Sequence, residues 1–184
     1  MKYAIWGLTA VLAPLFMWGG QTQPTRLAPS SATPLDVVDR MLTLAKVGPG
    51  DTVYDLGCGD GRIVIAAALK FGARGVGVDI DAKLIEQANA AARVAGVSDR
   101  VRFSVQDALK TDVTPATVVT LYLLASGNVK LRPLLTAQLR PGARIVAHNY
   151  PIGDWEPDVV DTFMDAAGAT RTLFLWRADG RVRP

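Results

Sequence analysis

Three aspartates and three glycines carry the chemistry that can be read directly from this chain. Asp55 precedes the run Gly57-Cys58-Gly59-Asp60-Gly61, and Asp79 and Asp107 each follow a further short apolar stretch. A simple tight turn needs one glycine. Three at alternate positions, between a strand and a helix, point to backbone that a ligand approaches closely. The spacing differs from the Gly-x-Gly-x-x-Gly of dinucleotide sites, and no Gly-Lys-Ser/Thr follows, which excludes a nucleoside triphosphate loop. A carboxylate at Asp55 opposes a pyrophosphate and suits an ammonium group. Asp79 is placed to accept hydrogen bonds from two ribose hydroxyls. Asp107 stands at an adenine amino group or just beside one. Taken singly, each aspartate also reads as a turn cap. Taken with the glycine loop, three carboxylates at successive strand ends fit a cationic adenosine ligand. S-adenosylmethionine combines a sulfonium, an ammonium, a ribose and an adenine.

A second set of residues belongs to the other side of such a site. Tyr122, Tyr150 and Trp155 sit at or just beyond the carboxyl ends of predicted strands, on the rim that carries the glycine loop. Each alone also reads as core or rim packing. Together they are expected to form an apolar, π-lined slot for an alkylammonium stem. His148 reads as a strand-end hydrogen-bonding residue rather than a base, and Cys58 as a small apolar filler. Lys130, Arg132, Arg140 and Arg144 read as a solvated face.

Alternating strands and helices must position these groups. Thr33 is expected to cap a helix in which Val37, Met41, Leu42 and Ala45 share a face, with Pro34 in its first turn and Gly48-Pro49-Gly50 ending it. Strands are predicted at 52–56, 75–78, 101–105, 117–124 and 143–148, and helices at 62–71, 81–95 and 129–139. Residues 159–164 and 170–176 read as an antiparallel hairpin. The expected fold is α/β: a doubly wound, mainly parallel sheet covered on both sides, with the antiparallel hairpin at its carboxyl-terminal end. The segment between Asp107 and Thr117 is too short for a full crossover helix.

Composition sets further bounds. The chain has 184 residues, 49% apolar and 20% charged, which is enough for one domain with a real core. Lys2 and Arg26 precede the first acid. Of the 20 basic residues this leaves 18 in the body against 17 acidic ones, so a dedicated electrostatic nucleic-acid binder is not indicated. One cysteine and one histidine leave no disulfide framework and no histidine-based metal site. Residues 3–20 run apolar, with Thr9 the one plainly polar side chain, and a polar, proline-containing stretch follows. Three segments are therefore expected: a signal or membrane anchor at 1–20, a linker at 21–32 and a folded domain at 33–184. No good cleavage site follows the run, which favours an uncleaved anchor. Export after cleavage is the alternative.

Specific stretches resemble a known superfamily. Val53-Tyr54-Asp55-Leu56-Gly57-Cys58-Gly59-Asp60-Gly61-Arg62-Ile63 resembles the first motif of class I S-adenosylmethionine-dependent methyltransferases. Gly77-Val78-Asp79-Ile80 and Gln106-Asp107-Ala108 are similar to the second and third. Thr33-Pro34, Gly59-Asp60-Gly61-Arg62, the run at 116–121 and His148-Asn149-Tyr150-Pro151-Ile152-Gly153-Asp154-Trp155 resemble archaeal broad-specificity and mitochondrial membrane-anchored protein lysine methyltransferases. The resemblance implies a seven-stranded, Rossmann-like sheet, S-adenosylmethionine as cofactor and protein lysine side chains as acceptor. It implies cofactor contacts at Asp55, Gly57, Gly59, Gly61, Asp79 and Asp107. Residues 113–153 contain no Asp or Glu, which disfavours metal-dependent catechol-type enzymes. Thr120-Leu121-Tyr122-Leu123-Leu124 stands where base-amino methyltransferases carry Asn/Asp-Pro-Pro-Tyr/Phe. The acceptor could also be a small molecule or RNA on the same core, and a non-catalytic cofactor-binding module on an anchor is the reading from another class. Because the cofactor is cytoplasmic, an anchored enzyme is expected to face the cytoplasm.

Overall fold

The computed structural model describes Leu27 and residues 32–184. The apolar run at 1–20 and nearly all of the 21–32 linker lie outside the described residues. Among those described, no helix is long and apolar enough to cross a membrane.

The elements follow one another as α1 (Leu35–Leu44), β1 (Thr52–Leu56), α2 (Arg62–Phe71), β2 (Arg74–Asp79), α3 (Ala82–Val94), β3 (Val101–Val105), a 3-10 turn (Ala108–Lys110), β4 (Val118–Leu121), α4 (Ala125–Gln138), β5 (Arg144–His148), β6 (Val159–Met164) and β7 (Thr170–Arg177). The seven strands lie in the order β3-β2-β1-β4-β5-β7-β6. The first five are parallel, and β7 runs antiparallel to both β5 and β6. Chain direction across the sheet reverses between β1 and β4, the switch point where doubly wound sheets open a crevice.

Side chains alternate across the strands, and the two faces bury different cores. Val53, Val118 and Val146 pack with Val37, Met41, Leu42 and Ile63 of α1 and α2. Leu56, Val119, Leu121 and Ile145 pack with Leu131 and Leu135 of α4 and with Trp176. The same alternation puts Asp55, Thr120, Tyr122 and His148 on the α1/α2 side, at or just past the carboxyl ends of β1, β4 and β5. Helix α2 lies close on the sheet: a Cβ at Gly75 would fall 2.4 Å from Val64 Cγ1.

Several boundaries differ from the sequence expectation. Thr33 does not cap α1. The cap position is Pro34, with no side-chain bond, and the Thr33 hydroxyl sits instead 3.5 Å from His148 Nδ1. β4 stops at Leu121 rather than at residue 124, because its pairing with β1 ends at Thr120 and with β5 at Ala147. α4 begins at Ala125, four residues earlier than expected. Ser126, Gly127 and Asn128 read as loop residues, and no capping side chain marks the start. Arg144 is not a freely solvated cation. It donates to the carbonyls of Ala45 and Lys46 and pairs with Asp51, tying the end of α1 to the amino edge of the sheet. Burial raises the Asp51 carboxyl, but hydrogen bonds from Thr117, Gly48 N–H and Arg144 outweigh it and hold the group below its ordinary range.

Candidate active site

Backbone geometry makes the glycine loop. Gly57, Gly59 and Gly61 all have positive φ, at 95°, 54° and 79°. Gly61 is the amino cap of α2, and a Cβ there would stand 2.7 Å from the Phe103 ring as well as in a strained conformation. The N–H groups of Gly57 and Cys58 both donate to the Val78 carbonyl at 2.9 Å, which ties the loop to the end of β2. Asp79 completes the brace. One of its oxygens accepts from Gly59 N–H at 3.0 Å and the other from Asp81 N–H at 3.0 Å.

Beside the loop lies a cavity of about 220 Å³. Asp55, Gly57, Cys58, Gly59, Asp60, Arg62 and Ile63 form one part of its lining. Ala32 and Thr33, Leu84 and Gln87 of α3, and Tyr122 form the rest. Asp55 is the buried charge of this cavity, 3% exposed, and accepts a hydrogen bond from the Thr120 hydroxyl at 2.9 Å. The two are register partners across β1 and β4. Burial pushes the Asp55 carboxyl up to about 7. The Thr120 hydrogen bond pulls it down, and the neighbouring carboxylates of Asp79 and Asp60 push it up again. A cation entering the cavity relieves both the desolvation and the repulsion. The cavity therefore fits a ligand bearing an ammonium or sulfonium group. Burial also raises the Cys58 thiol well above its ordinary range, so it stays protonated and fills space.

The sequence-predicted site residues separate into two groups. Asp55, Gly57, Gly59 and Tyr122 line the cavity. Gly61 stands behind the loop, and Asp79 acts on it through hydrogen bonds. Asp107 accepts from Leu109 N–H at 2.9 Å and caps the 3-10 turn. Tyr150 is half-buried, and its carbonyl accepts from Asn128 Nδ2 at 2.8 Å. Trp155 is not brought to the cavity. It packs in the core with Trp176, whose indole N–H donates to the Trp155 carbonyl, and Arg183 covers its ring at 4.6 Å. The expected slot of Tyr122, Tyr150 and Trp155 is thus represented at the cavity by Tyr122.

Sequence reasoning missed Thr33, Arg62 and Thr120 as members of this region. Arg62 forms an ion pair with Asp60 at 2.6 Å and donates from Nη1 to the Thr33 carbonyl at 3.0 Å. Thr120 carried a signal, a hydroxyl in an otherwise apolar strand. Arg62 and Thr33 stand in stretches that carry the family resemblance, but their contact, which spans 29 residues of sequence, has no local signal.

Comparison with known proteins agrees with this geometry. Residues 55–159 match the ANTKMT methyltransferase domain. The chain is 42% identical over 149 residues to a protein-lysine N-methyltransferase of Saccharolobus islandicus, a match covering 80% of this chain and 92% of that protein. The chain belongs to the ANTKMT methyltransferase domain family. It is 34% identical to the adenine nucleotide translocase lysine N-methyltransferase of Mus musculus, over 86% of this chain and 66% of that longer protein. It is also similar to the crystal structure of an RNA methyltransferase from Salinibacter ruber in complex with S-adenosyl-L-homocysteine. That likeness has a TM-score of 0.78 and 48% identity, covering 83% of this chain and 97% of the other. The enzyme is a class I methyltransferase and its cofactor is S-adenosylmethionine. Among the described residues no cluster of three metal-binding side chains occurs.

The buried Asp55 predicts a pH dependence of cofactor binding. In the free enzyme its carboxyl keeps a proton until pH rises to about 7, and a cationic ligand must displace that proton. Cofactor affinity should therefore rise between roughly pH 6 and pH 8, with proton release greatest at the acid end. Titration calorimetry in buffers of different ionisation enthalpy measures that release. In Asp55→Asn both the release and the pH slope should vanish and affinity should fall.

Proposed function

We propose that this methyltransferase transfers methyl groups to lysine amines of proteins. The observation that carries the reading is the likeness to the archaeal protein-lysine N-methyltransferase along 92% of that protein's length. The shape of the cavity supports it. Among the described residues, its lining has one aromatic ring, Tyr122, no histidine, and no acid other than Asp55 and Asp60. When bound, S-adenosylmethionine supplies a methyl group on a positively charged sulfur. A lysine amine attacks only when neutral, and its ordinary pKa of about 10.4 falls when its stem is desolvated against apolar walls. Tyr122 supplies such a wall, and alignment together with exclusion of water does the remaining work.

We assign the cofactor's ammonium to Asp55, its ribose to Asp79 and its adenine edge to Asp107, with Gly57, Gly59 and Gly61 letting the backbone approach. Tyr150 is assigned to the outer acceptor rim. An RNA acceptor is the second reading, favoured by the description of the Salinibacter ruber protein. Nearly equal numbers of basic and acidic residues in the body argue against it, because phosphate contacts draw on a surplus of Lys and Arg.

We further infer that residues 3–20, apolar along their length, hold the enzyme at a membrane with its catalytic face in the cytoplasm. Tethering would raise the effective concentration of membrane-protein acceptors.

Two outcomes are expected. Tyr122→Ala should lower methyl transfer to a lysine-rich protein about 10-fold or more, in the range that loss of alignment produces, while leaving cofactor affinity nearly unchanged. Steady-state kinetics beside calorimetry would read both, and a proportional loss of the two would reduce Tyr122 to a packing residue. For topology, a carboxyl-terminal reporter that is active only after export should stay inactive in the full chain. A soluble mature chain beginning near Thr33 would contradict the anchor.

A further inference from the structure

His148 is the largest polar investment near the site that catalysis does not use. It is fully buried, at 0% exposed, and its Nε2 has no hydrogen-bond partner. Burial pushes its pKa down to about 4, Arg171 lowers it further and Asp165 opposes the shift, so the ring is neutral under working conditions. An apolar side chain would fill this place without leaving a buried nitrogen unpaired. The contacts of the ring supply a reason for the imidazole. Its face stacks on Tyr122, with ring centroids 4.0 Å apart and planes 28° apart. Its Nδ1 sits 3.5 Å from the Thr33 hydroxyl. Tyr122 and Thr33 come from different elements and line the same cavity.

The backbone holds the imidazole in turn. β5 pairs with β4 as far as Ala147 and with β7 through His148, opposite Leu173. Immediately after His148 the chain turns through Asn149, at φ 63°, with Tyr150 N–H donating to the His148 carbonyl at 2.9 Å. Asn149 is locked to β7 by bonds in both directions with the Thr172 backbone. A continuous chain of contacts therefore runs around the cavity. Asp60 pairs with Arg62, Arg62 donates to the Thr33 carbonyl, and Thr33 meets His148, which stacks on Tyr122. His148 is the one member that does not line the cavity itself.

We propose that His148 is a positioning residue for the methyl acceptor, fixing Tyr122 and the Thr33 segment relative to the glycine loop. This rests on the reading that Tyr122 walls the acceptor slot. The ring acts through orientation and not through proton transfer. His148→Phe keeps a stacking partner and loses the Thr33 contact. His148→Asn keeps a hydrogen-bonding group and loses the stacking. His148→Leu loses both.

The test compares these variants with the wild-type full chain by cofactor calorimetry, by tritium transfer from labelled S-adenosylmethionine to a histone mixture, and by the ring resonances of ¹³C-labelled tyrosine, with Tyr122→Phe giving the assignment. His148→Leu should bind cofactor within about 2-fold of wild type and raise the acceptor KM about 10-fold, as mispositioning does. His148→Phe and His148→Asn should each recover part of that loss. The Tyr122 resonance should be sharp and ring-shifted in the wild type and should move or broaden in His148→Leu. An unchanged KM and an unchanged Tyr122 signal would overturn the proposal. So would a loss of cofactor affinity in step with the acceptor KM. If the wild type transfers no label to protein, the lysine reading fails, and the Tyr122 resonance alone decides the positioning role.

Discussion

A single carboxylate, that of Asp55, is buried at the point where β1 and β4 diverge in topology. Removing a charge from water is costly unless a partner compensates. The protein supplies one compensating hydrogen bond, from Thr120. Much of the surrounding structure can be understood from that arrangement. The parallel pairing of β1 with β4 sets Thr120 opposite Asp55. The loop glycines all take positive φ, and a Cβ at Gly57 or Gly61 would strike Leu123 or Phe103 behind the loop. Asp79, at the end of the neighbouring strand, accepts from Gly59 N–H of the loop with one oxygen and from Asp81 N–H at the start of α3 with the other, which ties the loop to the end of β2. Either a proton on Asp55 or a cationic group beside it offsets the remaining cost of burying that carboxylate.

Much of this was legible in the sequence. Alternating strand and helix patterns gave seven strands and their directions, and the Asp55-to-Gly61 run marked the cavity wall. What escaped was long-range. Arg144 looked like one of several surface cations, yet it joins α1 to the amino edge of the sheet, and no local pattern encodes a contact spanning 99 residues. The start of α4 was missed because its first turn is polar and uncapped. Trp155 was placed by strand-end position alone, and the core claimed it because its ring has more to gain against Trp176 and Arg183 than at the rim. For Asp79 and Asp107 the sequence allows a ligand contact or a turn cap, and the structure shows bonds to backbone N–H groups at both. The capping role and the ligand role draw on different lone pairs of a carboxylate and do not exclude one another.

The acceptor side is built from parts remote in sequence. Thr33 lies ahead of α1, Tyr122 follows β4 and His148 ends β5, and all three meet on one face of the sheet. Tyr122 lines the cavity there, with a neutral imidazole stacked on its ring. Such surroundings favour a flexible alkyl stem carrying an amine, which can shed its proton on entering, over a planar base that needs hydrogen-bonding edges. The near balance of basic and acidic residues in the body agrees with a protein acceptor.

The most direct measurement supplies tritiated S-adenosylmethionine to the purified enzyme with equal amounts of a protein fraction and an RNA fraction. Each is then separated and hydrolysed to its monomers. The account predicts label in methylated lysine and none above background in nucleosides. Label confined to nucleosides would contradict it.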